Sequence, residues 1–381
     1  MSNMIEEEFK KIFKQKFKGG KRAFSSTIGV QDNVLEFIYK EYLEEAGFSR
    51  ENLLWACHYC RKNETLDTLR SFWGVGNIAL LPRKINGAIS CVADKCKIDF
   101  GKRLNKNDIQ KEEDLQRVSL WIDTFPCCLN KFKDRVIRDV TKSYKGDMHC
   151  VKYLIGVGVK DGCPYYLSKR FVGRNHDSRI LQESGLLNAL LRGERVAGDK
   201  AFKANKFKPQ VVSSYDIGGE YEILWKEKCF NYARQIVERS IGRISKFRVV
   251  KKVPFRGNFF KMHDKIIRFI CYIVYVDMQL NKTEKNRFVD MIEDKASFKD
   301  YLKKERPSVI KRFEDALKGE DEEEEYSHLS ETSDYNEIFE TRVRELENVR
   351  REKKVRRNEE FRDTNGSFLG NRRSRSPASS N

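Results

Sequence analysis

Three acidic residues, Asp123, Asp199 and Glu238, occupy positions where carboxylates can hold divalent metal ions. Asp123 ends the short apolar run VSLWID and Asp199 ends RVAGD, and both runs predict strands. A carboxylate at the end of a buried strand can project into a cleft while the strand keeps its backbone fixed. Glu238 lies within residues 227–247, whose apolar spacing predicts a long helix.

The place of Glu238 on this helix favours a role at an active site. Helical periodicity gathers five apolar residues into one stripe, and Glu238 falls on the flank of that stripe. We therefore expect its carboxylate to point along the edge of the contact between helix and sheet. The stripe consists of Phe230, Ala233, Val237, Ile241 and Ile244.

Three carboxylates suit the in-line displacement at phosphorus by which phosphodiesters are cut and joined. Two Mg²⁺ or Mn²⁺ ions, roughly 3.5–4 Å apart, activate the attacking oxygen and stabilise the leaving one. Such hard cations prefer oxygen ligands. Water or a DNA 3′-hydroxyl attacks, so no covalent nucleophile is needed. Because the chain contains 57 acidic residues, position alone does not single out these three.

The elements that must hold these acids follow a recognisable order. Residues 117–280 predict strand, strand, strand, helix, strand and then the long helix, which matches a ribonuclease-H-like α/β layout. A Lys-Asp-Gly turn between the second and third of these strands predicts a hairpin. The segments are 118–123, 150–159, 164–173, 178–193 (one helix closed by Gly193), 195–199 and 227–247, with a further strand in 209–215.

The flanking regions differ from this α/β segment. Residues 1–116 predict an all-helical domain, in which 64–95 resembles a helix-turn-helix with Arg83 and Lys84 as DNA contacts. A plain helical bundle is the alternative, and Pro82 counts against a continuous second helix.

Residues 281–381 predict a charged tail. Its segment 335–360 predicts a solvated helix, 319–325 is an acidic block, and the end NRRSRSPASSN is typical of disorder. The basic runs 353–357 and 372–377 predict import into the nucleus.

The formal net charge of +18 favours a polyanionic partner, and DNA is the first candidate. Arg239, Arg243 and Lys246 share the face of the long helix away from its apolar stripe, where they can follow a DNA backbone. Arg170 and Arg174 are similar candidates. The start of the chain has no apolar run typical of a signal peptide, and residues 266–276 are too short to span a bilayer.

Two further groups have a structural and a functional interpretation. Asp177 is expected to cap the helix that follows it by accepting a backbone N–H. Cys57 and Cys60 have the spacing of zinc ligands, with Cys91 and Cys96 as a second pair, but buried reduced thiols are the preferred interpretation.

The segment from about 118 to 275 resembles the DDE-type endonuclease domain of Harbinger-like transposases. Its similarity rests on SYKGDMHCVKYLIGVGVKDGCPYYLS, VGRNHDSRILQESGLL, GERVAGDKAF and FNYARQIVERSIGRISKFRVV, which occur in the family's order. The resemblance implies that Asp199 and Glu238 are metal ligands and that Asp123 is the first acid. Asp134 and Asp139 are the alternatives for that first position.

This resemblance implies a DNA endonuclease and strand-transferase with two divalent metal ions as cofactors. DNA is the expected partner, together with a separate DNA-binding subunit and a homo-oligomer of the chain itself. A domesticated transposase that binds DNA without cutting it is the competing hypothesis, and a cellular ribonuclease-H-like nuclease is a third.

Overall fold

The computed structural model describes residues 9, 11–12, 21–77, 79–106, 118–130, 132–144, 146, 148–202, 210–212, 234–251, 259–281, 335–349 and 351–352. The acidic block 319–325, both basic runs and the low-complexity end lie outside these residues. Predictions about them are therefore untested.

A six-stranded mixed sheet forms the centre of the described chain, in the order β3-β2-β1-β5-β6, with β4 paired to β2. The β1–β2, β2–β3 and β2–β4 pairs are antiparallel, whereas β1–β5 and β5–β6 are parallel. A mixed α/β fold with N-terminal helices is thus confirmed. The strands are β1 Val118–Cys128, β2 Cys150–Gly158, β3 Pro164–Leu167, β4 Phe171–Val172, β5 Arg195–Ala197 and β6 Val211–Val212.

Strand β1 is longer than its apolar run, so the prediction that Asp123 ends a strand is wrong. Residues 123–128 stay paired with β2, from Asp123 opposite Ile155 to Cys128 opposite Cys150. On its other edge β1 pairs with β5 over a shorter stretch, which ends at the pair of Trp121 with Ala197. Asp123 therefore lies inside the strand but just past its parallel neighbour.

Helices precede the sheet, connect its strands and pack on it. The segment predicted as one helix over 178–193 is two, because Gly185 breaks it with a positive φ of 84°. The helices are α1 Lys21–Ile28, α2 Asp32–Ile38 (extended by a π-helical turn, Tyr39–Leu43), α3 Arg50–Lys62, α4 Leu66–Trp73, α5 Leu80–Lys95, α6 Lys102–Lys106, α7 Arg135–Thr141, α8 Asp177–Ser184, α9 Leu186–Ala189, α10 (234–245), α11 Arg248–Lys251, α12 Phe259–Leu280 and α13 (335–349).

The predicted helix-turn-helix is a helix pair in the structure. Helix α4 ends at Gly74, whose φ is 64°, and α5 begins at Leu80. Pro82 is the third residue of α5, within the first turn, where a missing N–H breaks no intrahelical hydrogen bond. The objection raised by Pro82 is therefore wrong. The buried face of α5 packs against α12.

Helix α12 contains the apolar stretch 266–276, and its central side chains are buried in the protein core. Among the residues described, none of the helices has the combination of length and apolar character that crossing a membrane requires.

Helix α13 of the tail is docked on the sheet, which corrects the prediction of a solvated helix. Phe339 is buried, and Arg170 forms an ion pair with Glu340 at 2.6 Å. The side chain of Asn336 accepts a hydrogen bond from the backbone N–H of Val172 in β4 at 2.8 Å. The sequence suggested solvation because charges dominate this segment, but its aromatic residues Tyr335 and Phe339 are buried.

A buried ion pair joins the helical region to the sheet. The guanidinium of Arg103 in α6 donates two hydrogen bonds to the carboxylate of Glu194, at 2.7 and 2.6 Å. Both side chains are only 3% exposed, and Glu194 directly precedes β5. Such bidentate geometry is specific, and removing one partner leaves the other charge buried without compensation.

We expect Arg103→Met to lower the free energy of unfolding by about 3–5 kcal/mol, because the Glu194 carboxylate would remain buried without its counterion. Urea denaturation of the full chain measures this. The matched control is Arg179→Met, which breaks the half-exposed Arg179–Glu183 pair and should cost less than about 1 kcal/mol. Equal losses in the two variants would contradict the proposed importance of the buried pair.

Candidate active site

The parallel pairing of β1 with β5 brings the first two acids together. Trp121 pairs with Ala197, the last residue of β5. Two residues further on, Asp123 is still within β1, whereas Asp199 lies just beyond the end of β5. The residue between, Gly198, passes close to β1, because a Cβ placed there would lie 2.9 Å from the side chain of Ile122. The close approach at Gly198 fixes the backbone from which Asp199 projects.

Asp199 and Glu238 meet at a shared cation, Arg234. One terminal nitrogen of its guanidinium lies 3.4 Å from Asp199 Oδ2, and the other lies 3.2 Å from Glu238 Oε1. The side chains of Asp199 and Glu238 are 41% and 52% exposed, whereas that of Arg234 is 23% exposed. The structure thus brings two predicted acids together around one positive charge that the sequence interpretation missed.

Asp123 is the most buried of the three predicted acids. Burial raises the pKa of its carboxyl group to about 6, against lowering effects from the Thr124 N–H and the Arg234 guanidinium. The carboxylates of Asp177 and Asp199 raise that pKa further. Because Arg234 and Asp199 both act on it, Asp123 belongs to the same electrostatic cluster as the other two acids.

Asp177 does not cap α8, so that prediction is wrong. The capping side chain is that of His176, whose Nδ1 accepts a hydrogen bond from Ser178 N at 3.4 Å. Asp177 instead lies in the first turn of α8 and is 3% exposed, pointing into the protein.

Buried Asp177 supports Asp123 through its neighbour Thr124. The Thr124 hydroxyl donates to Asp177 Oδ1 at 2.8 Å, and the Thr124 N–H donates to Asp123 Oδ1 at 2.7 Å. Lys152 Nζ lies 3.6 Å from Asp177 Oδ1 and compensates its charge. A lysine inside the apolar strand run CVKYLIGVG was the sequence signal for this buried acid, because a lysine placed there needs a buried partner.

The helix that carries Glu238 is fixed from two sides. Ser240 donates from its hydroxyl to the carbonyl oxygen of Gly162 in the β2–β3 hairpin, and a guanidinium nitrogen of Arg61 donates to the Lys246 carbonyl oxygen at 2.6 Å. Within the expected apolar stripe, Val237 and Ile244 are buried and Ile241 is half-buried. Phe230 and Ala233 lie outside the described residues.

The alternatives for the first acid have other partners. Asp134 caps α7 by accepting the Ile137 N–H at 3.0 Å and pairs with Arg342 of α13 at 3.0 Å. Asp139 is 52% exposed and pairs with Arg135 and Arg138.

The basic residues predicted to contact DNA have different surroundings. Arg239 and Lys246 are exposed on α10 and at its end, and Arg243 is half-buried. Arg83 is exposed on α5, and the ammonium of Lys84 lies 5.8 Å from the centre of the Phe48 ring.

Arg170 is committed to other contacts, which corrects its assignment to DNA. Its guanidinium pairs with Glu340 and lies 3.5 Å from Asp264, and its side chain is only 10% exposed. Arg174 lies over the Tyr335 ring at 5.0 Å and lines an open surface pocket with Lys142 and Tyr144.

The residues present fit hard divalent cations by their chemistry. Asp199 and Glu238 offer carboxylate oxygens, the ligands that such ions prefer, and both lie within 3.4 Å of the Arg234 guanidinium. Within the part of the chain that the structure describes, no three His, Cys, Asp or Glu side chains are grouped closely enough to hold a metal ion. Cys57 and Cys60 are buried thiols inside α3.

The region that contains the sheet and the candidate acids is similar to DDE-type endonuclease domains. Residues 122–274, somewhat less than half of the chain, match the family described as DDE superfamily endonuclease. The resemblance to a DDE-type endonuclease is thereby confirmed, while the narrower likeness to Harbinger elements stays a prediction. The searches of curated proteins and of solved structures found no match.

The raised pKa of Asp123 predicts a stability gain from Asp123→Asn in metal-free protein. Between about pH 4 and pH 6, the folded chain keeps a proton on Asp123 that the unfolded chain has lost, since the ordinary pKa is 3.8. Stability attributable to Asp123 therefore falls as pH rises through this window.

Asp123→Asn should accordingly be more stable than the wild type at pH 7.5 by roughly 1–3 kcal/mol, with a difference near zero at pH 4. Chemical denaturation in EDTA at both pH values measures this. Asp139→Asn, at an exposed acid, is the control and should change stability by less than about 0.5 kcal/mol. The prediction would be contradicted if the stability of Asp123→Asn minus that of the wild type were smaller at pH 7.5 than at pH 4.

Proposed function

We propose that the chain is a metal-dependent DNA endonuclease and strand-transferase, the transposase of a Harbinger-like element, with Asp123, Asp199 and Glu238 as its metal ligands. The observation that carries the proposal is the meeting of Asp199 and Glu238 at one cation, with Asp123 beside them through the β1–β5 register. The family match over residues 122–274 supports a nuclease of this type.

The strand order supports a ribonuclease-H-like interpretation of the fold. Three antiparallel strands lead into parallel strands on the other side of β1, with helices connecting and covering them. In this arrangement the first acid lies on the central strand and the second follows its parallel neighbour. The third comes from a helix packed on the sheet.

Each residue has a distinct task in the proposed reaction. Two divalent ions, when bound, supply charge for the attacking and leaving oxygens of the phosphodiester. Asp123 provides a rigid, partly buried ligand. Its backbone is fixed by the pairing with β2, and its carboxylate accepts a hydrogen bond from the Thr124 N–H. Asp199 and Glu238 are more exposed and face the side from which DNA must approach.

The basic residues on α10 lie next to Glu238 in sequence and suit a DNA backbone. Exposed Arg239 and Lys246 contact phosphates in this proposal, and Arg243 lies between them. Arg83 and Lys84 on α5 form a second contact region. A nuclear location, a separate DNA-binding subunit and a homo-oligomer complete the proposal, as expected for such an element.

The nuclease assignment predicts that purified full-length protein nicks or joins DNA with Mg²⁺ or Mn²⁺. Asp199→Ala and Glu238→Ala should each lower the rate by at least about a hundredfold, because each loses a ligand that stabilises the transition state. The measurement is the conversion of supercoiled plasmid and of labelled oligonucleotides.

Asp139→Ala is the matched control, because Asp139 is an exposed acid paired on α7. It should retain wild-type activity. Activity that is equal in wild type and Asp199→Ala would overturn the assignment. Tight DNA binding with no Mn²⁺ binding would favour the domesticated DNA-binding protein instead.

The proposed DNA contacts predict a change in salt dependence. Replacing both Arg239 and Lys246 by Gln should weaken DNA binding and reduce the slope of log K against log salt by about 0.9 for each lost phosphate contact. Fluorescence anisotropy at several salt concentrations measures this slope. Arg135→Gln on α7, at an 86% exposed side chain, is the control; an equal change there would show that only total charge matters.

A further inference from the structure

Arg234 occupies the position between two of the proposed metal ligands. It lies four residues before Glu238 on α10, so both side chains project from the same face of the helix. Its two terminal nitrogens contact different acids, one on its own helix and one after β5. This contact links the helix to the sheet at the point where a metal ion would have to lie.

The contacts of Arg234 differ from those of a permanent buried pair. Arg103 and Glu194 approach to 2.6 and 2.7 Å at 3% exposure, whereas Arg234 stands at 3.2 and 3.4 Å from its acids at 23% exposure. The buried Nε of Arg234 has no hydrogen-bond partner among the described residues. Long, half-exposed contacts of this kind are weak enough to be exchanged for a stronger cation.

We infer that Arg234 is an internal counterion of the metal site, which neutralises Asp199 and Glu238 in the metal-free protein and competes with the divalent ion for them. This inference rests on the proposed function and adds a positioning residue to it. Without a cation, two carboxylates at this place would repel each other and push the helix from the sheet. The arginine keeps them together, and the divalent ion displaces it.

Competition has a consequence opposite to that of a structural role. If Arg234 only held α10 in place, removing its charge would loosen the site and weaken metal binding. If it competes, removing its charge frees the carboxylates and strengthens metal binding. The direction of the change in metal affinity therefore separates the two roles.

The test measures Mn²⁺ binding to full-length, metal-stripped protein without DNA, by electron paramagnetic resonance of the free ion. Arg234→Gln should bind Mn²⁺ roughly three- to tenfold more tightly than the wild type, because two weak ion pairs no longer have to be broken. Arg234→Met keeps the aliphatic stem and should show the same gain, which guards against a folding defect in either variant.

Arg243→Gln is the matched control, with the same loss of charge on the same helix. It lies five residues beyond Glu238, about 140° around the helix, and should change the affinity less than about twofold. Asp199→Asn should abolish the gain produced by Arg234→Gln, which would assign the effect to this site.

Equal or weaker Mn²⁺ binding by folded Arg234→Gln and Arg234→Met would overturn the competition while leaving the proposed nuclease intact. The absence of saturable Mn²⁺ binding from the wild type and all variants would overturn both proposals. The two failures are thus distinct. Mn²⁺ should also raise the melting temperature more in Arg234→Gln than in the wild type, which is a second measure of the tighter Mn²⁺ binding by the variant.

Discussion

The site depends on the parallel pairing of two short stretches, one in β1 and one in β5. Ala197 opposite Trp121 fixes where the chain leaves the sheet, and Gly198 allows it to pass against Ile122. A shift of one residue along either strand would turn Asp123 or Asp199 to the opposite face. The long antiparallel β1–β2 pair holds β1 in place on the other edge of the strand.

The N-terminal helices also support the candidate site, although none of the three candidate acids lies on them. Arg103 binds Glu194 just ahead of β5, and Arg61 binds the carbonyl of Lys246 just after the helix that bears Glu238. Arg103 thus stabilises the strand that leads to Asp199, and Arg61 stabilises the helix that carries Glu238. The acids themselves supply little of this rigidity, because carboxylates held close together repel one another.

Much of this arrangement could be predicted from apolar patterns. The helical start of the chain and the succession of strands and helices that follows were largely predicted, because burial imposes a period that the sequence displays. The likeness to DDE-type endonucleases came instead from four sequence segments, and the family match over residues 122–274 confirms it. The length of β1 was not, since Thr124 and Pro126 look like a loop until β2 pairs with them. The contact between Arg234 and Asp199 could not be predicted, because an ion pair between residues far apart in sequence leaves no local pattern. The spacing of Arg234 and Glu238 on one helix face, and Lys152 inside an apolar strand, were signals that the sequence did contain.

The docking of α13 makes a helix from far along the chain part of the structural unit that contains the sheet. The side chain of Asn336 accepts a hydrogen bond from the backbone N–H of Val172 in β4, and Phe339 of the same helix is buried. A fragment ending at residue 281 would retain all three acids but expose a strand edge open to pairing with other chains. The smallest well-behaved fragment therefore has to include a helix that begins more than fifty residues later in the sequence.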